Sequence, residues 1–172
     1  MSSKIATYLL LFAPLLWQCG GPREQAPRKA EPSAERLLLQ DMNRYASEKE
    51  HDILRAYVRR QNLDMQQSGI GYYYAIAQAG RGAALADGDI ASLHGRIFLL
   101  DGTPCYAYTA QQPLSVALGA HADLKILNVA LRGIARQSHV RFVFPAYQAY
   151  GLLGDGDKIP AQSPIVCDFI IQ

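Results

Sequence analysis

Residues that could bind a metal or act as nucleophiles are few in this sequence and lie far apart. They are three cysteines and four histidines, namely Cys19, Cys105, Cys167, His51, His94, His121 and His139. The cysteines form no Cys-x-x-Cys pair, and no histidine has a carboxylate at ligand spacing, so no zinc site is readable. We interpret the histidines as solvated or capping residues. The sequence therefore predicts neither a metal nor a cofactor.

The richest pattern lies in the last third of the chain, where two predicted strands flank a glycine-rich loop. Hydrophobic residues alternate over residues 140–144, and Pro145 ends that strand because proline has no N–H to donate. Residues 150–160 are rich in glycine and aspartate, which suit turns and positive φ angles. Alternation returns over Ile165–Ile171 and predicts a closing strand.

Four features of this region carry a family resemblance. The phenylalanine-rich strand, the segment Ala149-Tyr150-Gly151, the glycine loop and the pair Ile159-Pro160 resemble the FKBP-type peptidyl-prolyl cis-trans isomerases. More narrowly, the chain resembles the FKBP-like lipoproteins of Bacteroidetes that are linked to gliding motility and envelope folding. The resemblance implies an α+β fold, in which a curved antiparallel sheet of about five strands wraps around one short helix.

The resemblance also implies which residues form a substrate pocket. By their positions, Tyr150 and the backbone N–H of Leu124 would donate hydrogen bonds to the substrate. The other pocket positions hold Leu93, Cys105, Tyr106, Leu114, Leu127, Ile159 and Cys167. The family usually has rings where Cys105, Leu114, Leu127 and Cys167 stand, a tyrosine at Leu93 and a buried aspartate at Tyr106. A further departure is Gln137, which replaces a glycine in the turn before the strand from Val140.

The implied chemistry is rotation about a prolyl amide, which has a barrier of about 18 to 20 kcal/mol in water. A dry apolar pocket favours the less dipolar twisted amide, while hydrogen bonds hold the flanking carbonyls. Leucines keep a pocket dry but provide no flat ring for proline to stack on, so we expect weakened catalysis. The alternative is a non-catalytic binding module that uses the same groove or the N-terminal helix. Tyr150 would then be a structural cap of its loop.

The cysteines in the pocket raise a separate hypothesis. Cys105 and Cys167 replace two aromatic residues that lie near each other in the resembling fold, and an exported protein meets an oxidising compartment. They could form a disulfide bond. We favour a free, buried pair, because bridging geometry is strict and cysteine packs well as a small hydrophobic residue.

The amino terminus reads as an export signal. Lys4 precedes an apolar run over residues 5–17, which is too short to span a bilayer comfortably. The segment ending at Cys19 resembles a bacterial lipobox, which implies lipidation of Cys19, export and anchoring to the envelope with the domain in the periplasm. We favour the outer membrane over the inner one. The alternatives are cleavage elsewhere with secretion, or an uncleaved hydrophobic tail.

A helix is predicted over residues 34–61, which contain neither glycine nor proline, and Ser33 can cap it. One apolar row contains Leu38, Met42 and Tyr45, and a second row follows after a polar stretch. The pattern fits two helices or one kinked helix. Its apolar face must be buried on its own domain, which we favour, or against a second copy or a partner protein.

Composition supports one folded domain with appendages. Hydrophobic residues make up 49% of the 172 residues and charged residues 19%, a balance typical of a globular protein. The net charge of +2 and the scattered basic residues argue against nucleic-acid binding. The family resemblance implies proline-containing polypeptides as clients. We divide the chain into a signal peptide (1–18), a flexible tether (19–33), an accessory helix (34–61) and an FKBP-like domain (62–172).

Overall fold

The computed structural model describes residues 33–61, 64–119 and 124–172. The predicted signal peptide, the lipidation site Cys19 and all but the last residue of the tether lie outside the described residues. Among the helices that the structure describes, none is both long and apolar enough to cross a membrane.

The central feature is a curved antiparallel sheet. Its seven strands are β1 Gln66–Gln67, β2 Tyr73–Gln78, β3 Ile90–Leu99, β4 Pro104–Tyr108, β5 Leu114–Ala117, β6 His139–Phe144 and β7 Ile165–Ile171. They follow the order β1-β2-β6-β7-β3-β4, and β5 pairs with β3. The predicted fold class is confirmed. The strand count exceeds the expected five because two- and four-residue strands, β1 and β5, carry too little alternation to be recognised.

One short helix, α2 (Lys125–Ala130), packs against the sheet as predicted. Leucine and isoleucine side chains in and just beyond α2 are buried, at Leu124, Leu127, Leu131 and Ile134. These side chains share one hydrophobic core with the inward residues of the long strands, among them Phe142, Cys167 and Phe169. Side chains repeat with a period of two in a strand and near 3.6 in a helix, so each element gathers its apolar side chains on one face. The apolar face of the sheet and that of α2 are buried against each other.

The accessory segment forms a single helix, α1 (Ala34–Arg60), and the Ser33 hydroxyl accepts a hydrogen bond from the N–H of Arg36 at 3.3 Å. Its C-terminal half packs on the outer face of the sheet through Leu54 and Tyr57, which are 0% and 3% exposed. Full burial of such a side chain contributes roughly 1.5 to 3 kcal/mol. Packing on its own domain is therefore observed for this half of α1.

The apolar row on the N-terminal half of α1 is exposed to solvent. Leu38, Met42 and Tyr45 are 62%, 59% and 68% exposed. The two predicted rows thus have different environments, although both belong to one helix. The domain covers the second row through Leu54 and Tyr57, whereas Ile53 in that row is 48% exposed.

Candidate functional site

All nine residues assigned to the pocket meet in one hydrophobic cluster on the α2 side of the sheet. Six of them are buried there, namely Leu93, Cys105, Leu124, Leu127, Ile159 and Cys167. Three more are partly buried and pack against these, namely Tyr106, Leu114 and Tyr150. The structure therefore brings together residues that come from β3, β4, β5, α2, β7 and the loop after β6. Their roles toward a substrate remain predictions.

The strands set the apolar lining of this cluster. Leu93 on β3 lies directly opposite Leu114 on β5, and the inward alternation of β7 turns Cys167 toward the core. Leu127 on α2 is completely buried beneath them. No ring stands at any of these four positions, so the lining is aliphatic and sulfur-bearing.

Both pocket cysteines are buried and free. Burial raises the pKa of the Cys167 thiol well above its ordinary range, and burial also raises the pKa of Cys105. The Cys105 thiol lies 3.7 Å from the carbonyl oxygen of Thr103 and 3.8 Å from that of Lys158. Neither thiol is ionised at neutral pH, so both act as small hydrophobic residues rather than as nucleophiles.

Leu124 marks the start of α2. Its carbonyl oxygen accepts a hydrogen bond from the N–H of Leu127 at 3.1 Å, and its side chain is 5% exposed. It directly follows residues 120–123, which lie outside the described residues. The N–H of Leu124 thus lies at a helix N-terminus, where backbone donors lack partners within the helix. The predicted use of this N–H toward a substrate carbonyl stays a prediction.

Tyr150 lies just after a short 3-10 helix, η1 (Ala146–Gln148), which begins directly after Pro145. The N–H groups on both sides of Tyr150, those of Ala149 and Gly151, donate to the carbonyl oxygen of Ala146 at 3.0 and 2.8 Å. The carbonyl group of Ala146 therefore holds the backbone on both sides of Tyr150, and the carbonyl oxygen of Pro145 also accepts the N–H of Ala149 at 3.1 Å. This arrangement holds the half-buried side chain against the core cluster.

The carboxylate of Asp155 stabilises the glycine-rich loop, for which the sequence pattern predicted only a turn. Its carboxylate accepts hydrogen bonds from the N–H groups of Asp157 and Ile159 at 3.0 and 2.8 Å. The same carboxylate accepts a hydrogen bond from the hydroxyl of Tyr106, and the Lys158 amine lies 5.0 Å from the centre of the Tyr106 ring. An aspartate side chain commonly accepts a hydrogen bond from the backbone N–H two residues ahead, so the contact with Asp157 is predictable from the sequence. The contact with Tyr106 is not, because no local pattern indicates it.

Electrostatics at this pair keep the tyrosine protonated. The hydrogen bond to Asp155 raises the pKa of Tyr106, and burial and the negative charge of Asp155 raise it further. Burial acts to raise the pKa of Asp155, but the hydrogen bonds from Tyr106 and the loop N–H groups hold it below its ordinary value. At neutral pH the pair is thus a phenol and a carboxylate, at the position where the family places its buried aspartate.

The described part of the chain contains no group of three or more histidine, cysteine, aspartate or glutamate residues that could hold a metal ion. The groups that the site offers to a ligand are an aliphatic lining, the hydroxyl of Tyr150 and the Tyr106–Asp155 pair at its polar edge. Such a set can bind an apolar ring and orient carbonyl groups.

Part of the chain matches a family of known proteins. Residues 82–171 match the family model described as FKBP-type peptidyl-prolyl cis-trans isomerase. No curated protein matches the chain.

Solved structures share the fold. FkpA from Escherichia coli is 24% identical with a TM-score of 0.57, and the match covers 82% of this chain and 72% of FkpA. A peptidyl-prolyl cis-trans isomerase from Pseudomonas syringae pv. tomato is 21% identical with a TM-score of 0.59, over 73% and 92% of the two chains. AtFKBP13 is 19% identical with a TM-score of 0.57, over 63% and 96%.

Proposed function

Because the chain belongs to the family of FKBP-type peptidyl-prolyl cis-trans isomerases, we propose that it isomerises Xaa-Pro bonds in proline-containing polypeptides. The observation that carries this proposal is the meeting of all nine assigned residues in one cluster with Tyr150 at its edge. These residues are scattered from Leu93 to Cys167 in the sequence. Their meeting on one side of the sheet supports the proposal.

In the proposed mechanism the proline ring packs against the partly buried Leu114, above the buried Leu127 and Cys167. Exclusion of water lowers the polarity around the amide and so favours its twisted, less dipolar state. The hydroxyl of Tyr150 and the N–H of Leu124 hold flanking carbonyl groups while the amide rotates. No covalent intermediate and no proton transfer is needed, which agrees with the un-ionised thiols of the site.

We propose that the activity is weak. Leucine and cysteine occupy the positions where the family has rings, so the prolyl ring gains dispersion contacts but no stacking surface. Stacking between rings contributes about 0.5 to 1.5 kcal/mol beyond area burial. Loss of several such contacts lowers the affinity for the transition state.

The test is a prolyl isomerisation assay on short Xaa-Pro peptides with the wild-type chain and the Tyr150→Phe variant. We expect the wild type to exceed the uncatalysed rate and Tyr150→Phe to fall toward it. Tyr45→Phe, which removes an exposed hydroxyl on α1, is the matched control and should keep the wild-type rate. A wild-type rate equal to the uncatalysed background contradicts the isomerase function.

We further propose that the protein is exported and anchored to the cell envelope through lipidated Cys19, with the domain in the periplasm. Support comes from the signal-like segment 1–18 and the lipobox-like residues before Cys19. The same residues support membership in the FKBP-like lipoproteins linked to gliding motility. Replacement of Cys19 by serine should release the protein from membranes, and unchanged fractionation would contradict the anchor.

A second candidate function is a non-catalytic binding module, which the exposed row of Leu38, Met42 and Tyr45 on α1 favours. Beside this row a groove of about 990 Å³ separates α1 from the loop after Tyr150. The partner that we propose for it is a second copy of the chain, because Met42 belongs both to the row and to the groove lining, so two copies could bury both together. Light scattering of wild type and Met42→Glu tests this: a monomeric wild type contradicts it.

A further inference from the structure

A hydrogen bond to Glu50 joins the accessory helix to the segment that carries Tyr150. The carboxylate of Glu50 on α1 accepts it from the N–H of Ala146, the first residue of η1, at 2.5 Å. Glu50 lies one turn before Leu54, whose burial fixes this part of α1 on the sheet. The carboxylate is thus delivered by a helix that is itself firmly packed.

The hydrogen bond to Glu50 satisfies a backbone N–H group that has no acceptor within its own helix. The first N–H groups of a helix lack acceptors within that helix, and η1 follows Pro145, which offers no side-chain cap. Ala146 is only 6% exposed, so water has little access to its N–H. Without Glu50 this buried donor would be unsatisfied, which is unfavourable.

Ala146, through its carbonyl group, also holds the neighbours of Tyr150. The carbonyl oxygen of Ala146 accepts hydrogen bonds from the N–H groups of Ala149 and Gly151, which stand immediately before and after Tyr150. A displacement of Ala146 would therefore move both ends of the Tyr150 peptide. The position of the Tyr150 hydroxyl depends on a contact made 100 residues earlier in the chain, by Glu50.

A neighbouring contact supports the same coupling. The edge of the His51 ring meets the ring of Tyr147, with centroids 6.2 Å apart, and the Tyr147 hydroxyl lies 3.5 Å from the His51 Nε2 atom. Burial raises the pKa of Tyr147, and the nearby Glu50 carboxylate raises it further. Two successive residues of α1 thus contact two successive residues of η1.

We propose that Glu50 is a positioning residue of the isomerase site: through Ala146 it holds the Tyr150 hydroxyl in its orientation toward the pocket. The inference rests on the proposed function. Glu50 lies outside residues 82–171, the segment that matches the family model. The accessory helix thereby becomes part of the catalytic apparatus of this chain.

The activity test uses full-length variants in the peptide assay. Glu50→Ala removes the acceptor and should lower kcat/KM about tenfold, mainly through kcat, because displaced catalytic groups lose rate steeply with distance. Glu50→Gln keeps an amide oxygen as acceptor and should restore most of the rate. Glu48→Ala, which removes an exposed carboxylate paired with Arg44 on the same helix, is the control and should match the wild type. Equal rates for Glu50→Ala and the wild type would overturn the inference.

A double-mutant cycle separates positioning from a general loss of structure. If Glu50 acts through Tyr150, Glu50→Ala should have no further effect on rate in the Tyr150→Phe background, since residues that act as a unit are not additive. Additive losses would overturn the positioning role.

Amide hydrogen exchange tests the contact without any activity. The N–H groups of Ala146, Ala149 and Gly151 should exchange faster in Glu50→Ala than in the wild type and Glu48→Ala. Equal exchange would overturn the inference even with an active wild type. If the wild type is inactive but exchange is faster in Glu50→Ala, the isomerase function is overturned while the contact between Glu50 and Ala146 is retained. The two failures are therefore distinguishable.

Discussion

The hydroxyl of Tyr106 on β4 donates a hydrogen bond to the carboxylate of Asp155 in the glycine-rich loop. The family carries its buried aspartate at the position of Tyr106, so here the strand supplies the phenol and the loop supplies the carboxylate. Asp155 also accepts the N–H groups of Asp157 and Ile159, which gives the loop an internal frame. Gly154 makes that frame possible, because a Cβ there would lie 2.2 Å from the carbonyl oxygen of Ile159.

Removal of the Asp155 carboxylate should loosen the loop and lower the pKa of Tyr106. We expect Asp155→Ala to reduce the melting temperature and catalytic efficiency, because three donors lose their acceptor at once. Asp155→Asn removes the charge, and the pKa of Tyr106 should then fall toward its ordinary value of 10.0. NMR titration of isotope-labelled tyrosine measures this shift. Asp157→Ala is the matched control, and a similar shift in that variant would contradict the assignment to Asp155.

A ring at position 114 should strengthen catalysis. Leu114 lies on the short strand β5 and is only partly buried, so Leu114→Phe has room where a substitution at the fully buried Leu127 would overpack the core. We expect kcat/KM to rise roughly two- to tenfold, the equivalent of the about 0.5 to 1.5 kcal/mol contributed by an aromatic pair. The peptide assay measures it with Leu114→Met as a control of similar volume. An unchanged rate would show that missing rings do not limit the activity.

Asp168 should make the free energy of unfolding depend on pH in the acid range. Its carboxylate on the outer face of β7 lies 2.6 Å from Arg141 and 2.7 Å from His139. Burial acts to raise the pKa of Asp168, but the hydrogen bonds and charges of Arg141 and His139 lower it below the ordinary value of 3.8. A depressed pKa contributes stability above the unfolded-state value, and this contribution is lost as the pH falls through the folded-state value.

The measurement for Asp168 is chemical denaturation from neutral pH to about pH 3, over which a carboxylate of lowered pKa titrates. Asp168→Asn should lower the free energy of unfolding at neutral pH by about 2 kcal/mol, because a nearly buried charged acceptor is lost. The difference from the wild type should shrink on acidification. Asp87→Asn removes an exposed pair with Arg132 and should have little effect at any pH. A difference independent of pH would contradict the expected linkage.

Glycine at position 137 should stabilise the protein. Gln137 has a φ angle of 67°, in the left-handed region that disfavours residues with a Cβ, and its N–H donates to the carbonyl oxygen of Ile171 at 2.8 Å. Gln137→Gly keeps this bond and relieves the backbone, so we expect a gain of about 1 kcal/mol in the free energy of unfolding. Urea denaturation measures the gain. Gln137→Ala has the same Cβ and should show no gain; equal stabilisation by both variants would contradict the backbone explanation.

Local sequence patterns predicted the elements whose faces repeat. Alternation over residues 140–144 and Ile165–Ile171 identified β6 and β7, and the absence of glycine and proline identified α1 to within one residue. The turn at Gln137 was recognised because a glycine is usual there. Short strands such as β1 escaped prediction because two residues show no period.

The sequence by itself predicted β6, β7 and α1, because these depend on residue type and short-range spacing, whereas the expected pocket positions came from the family resemblance. Only the tertiary structure decided which half of α1 is covered, since apolar rows mark a face but not its partner. It also decided the contacts between Tyr106 and Asp155 and between Glu50 and Ala146, which join residues 49 and 96 positions apart. No local pattern encodes such pairs, because they exist only once the sheet, the loop and the accessory helix have packed together.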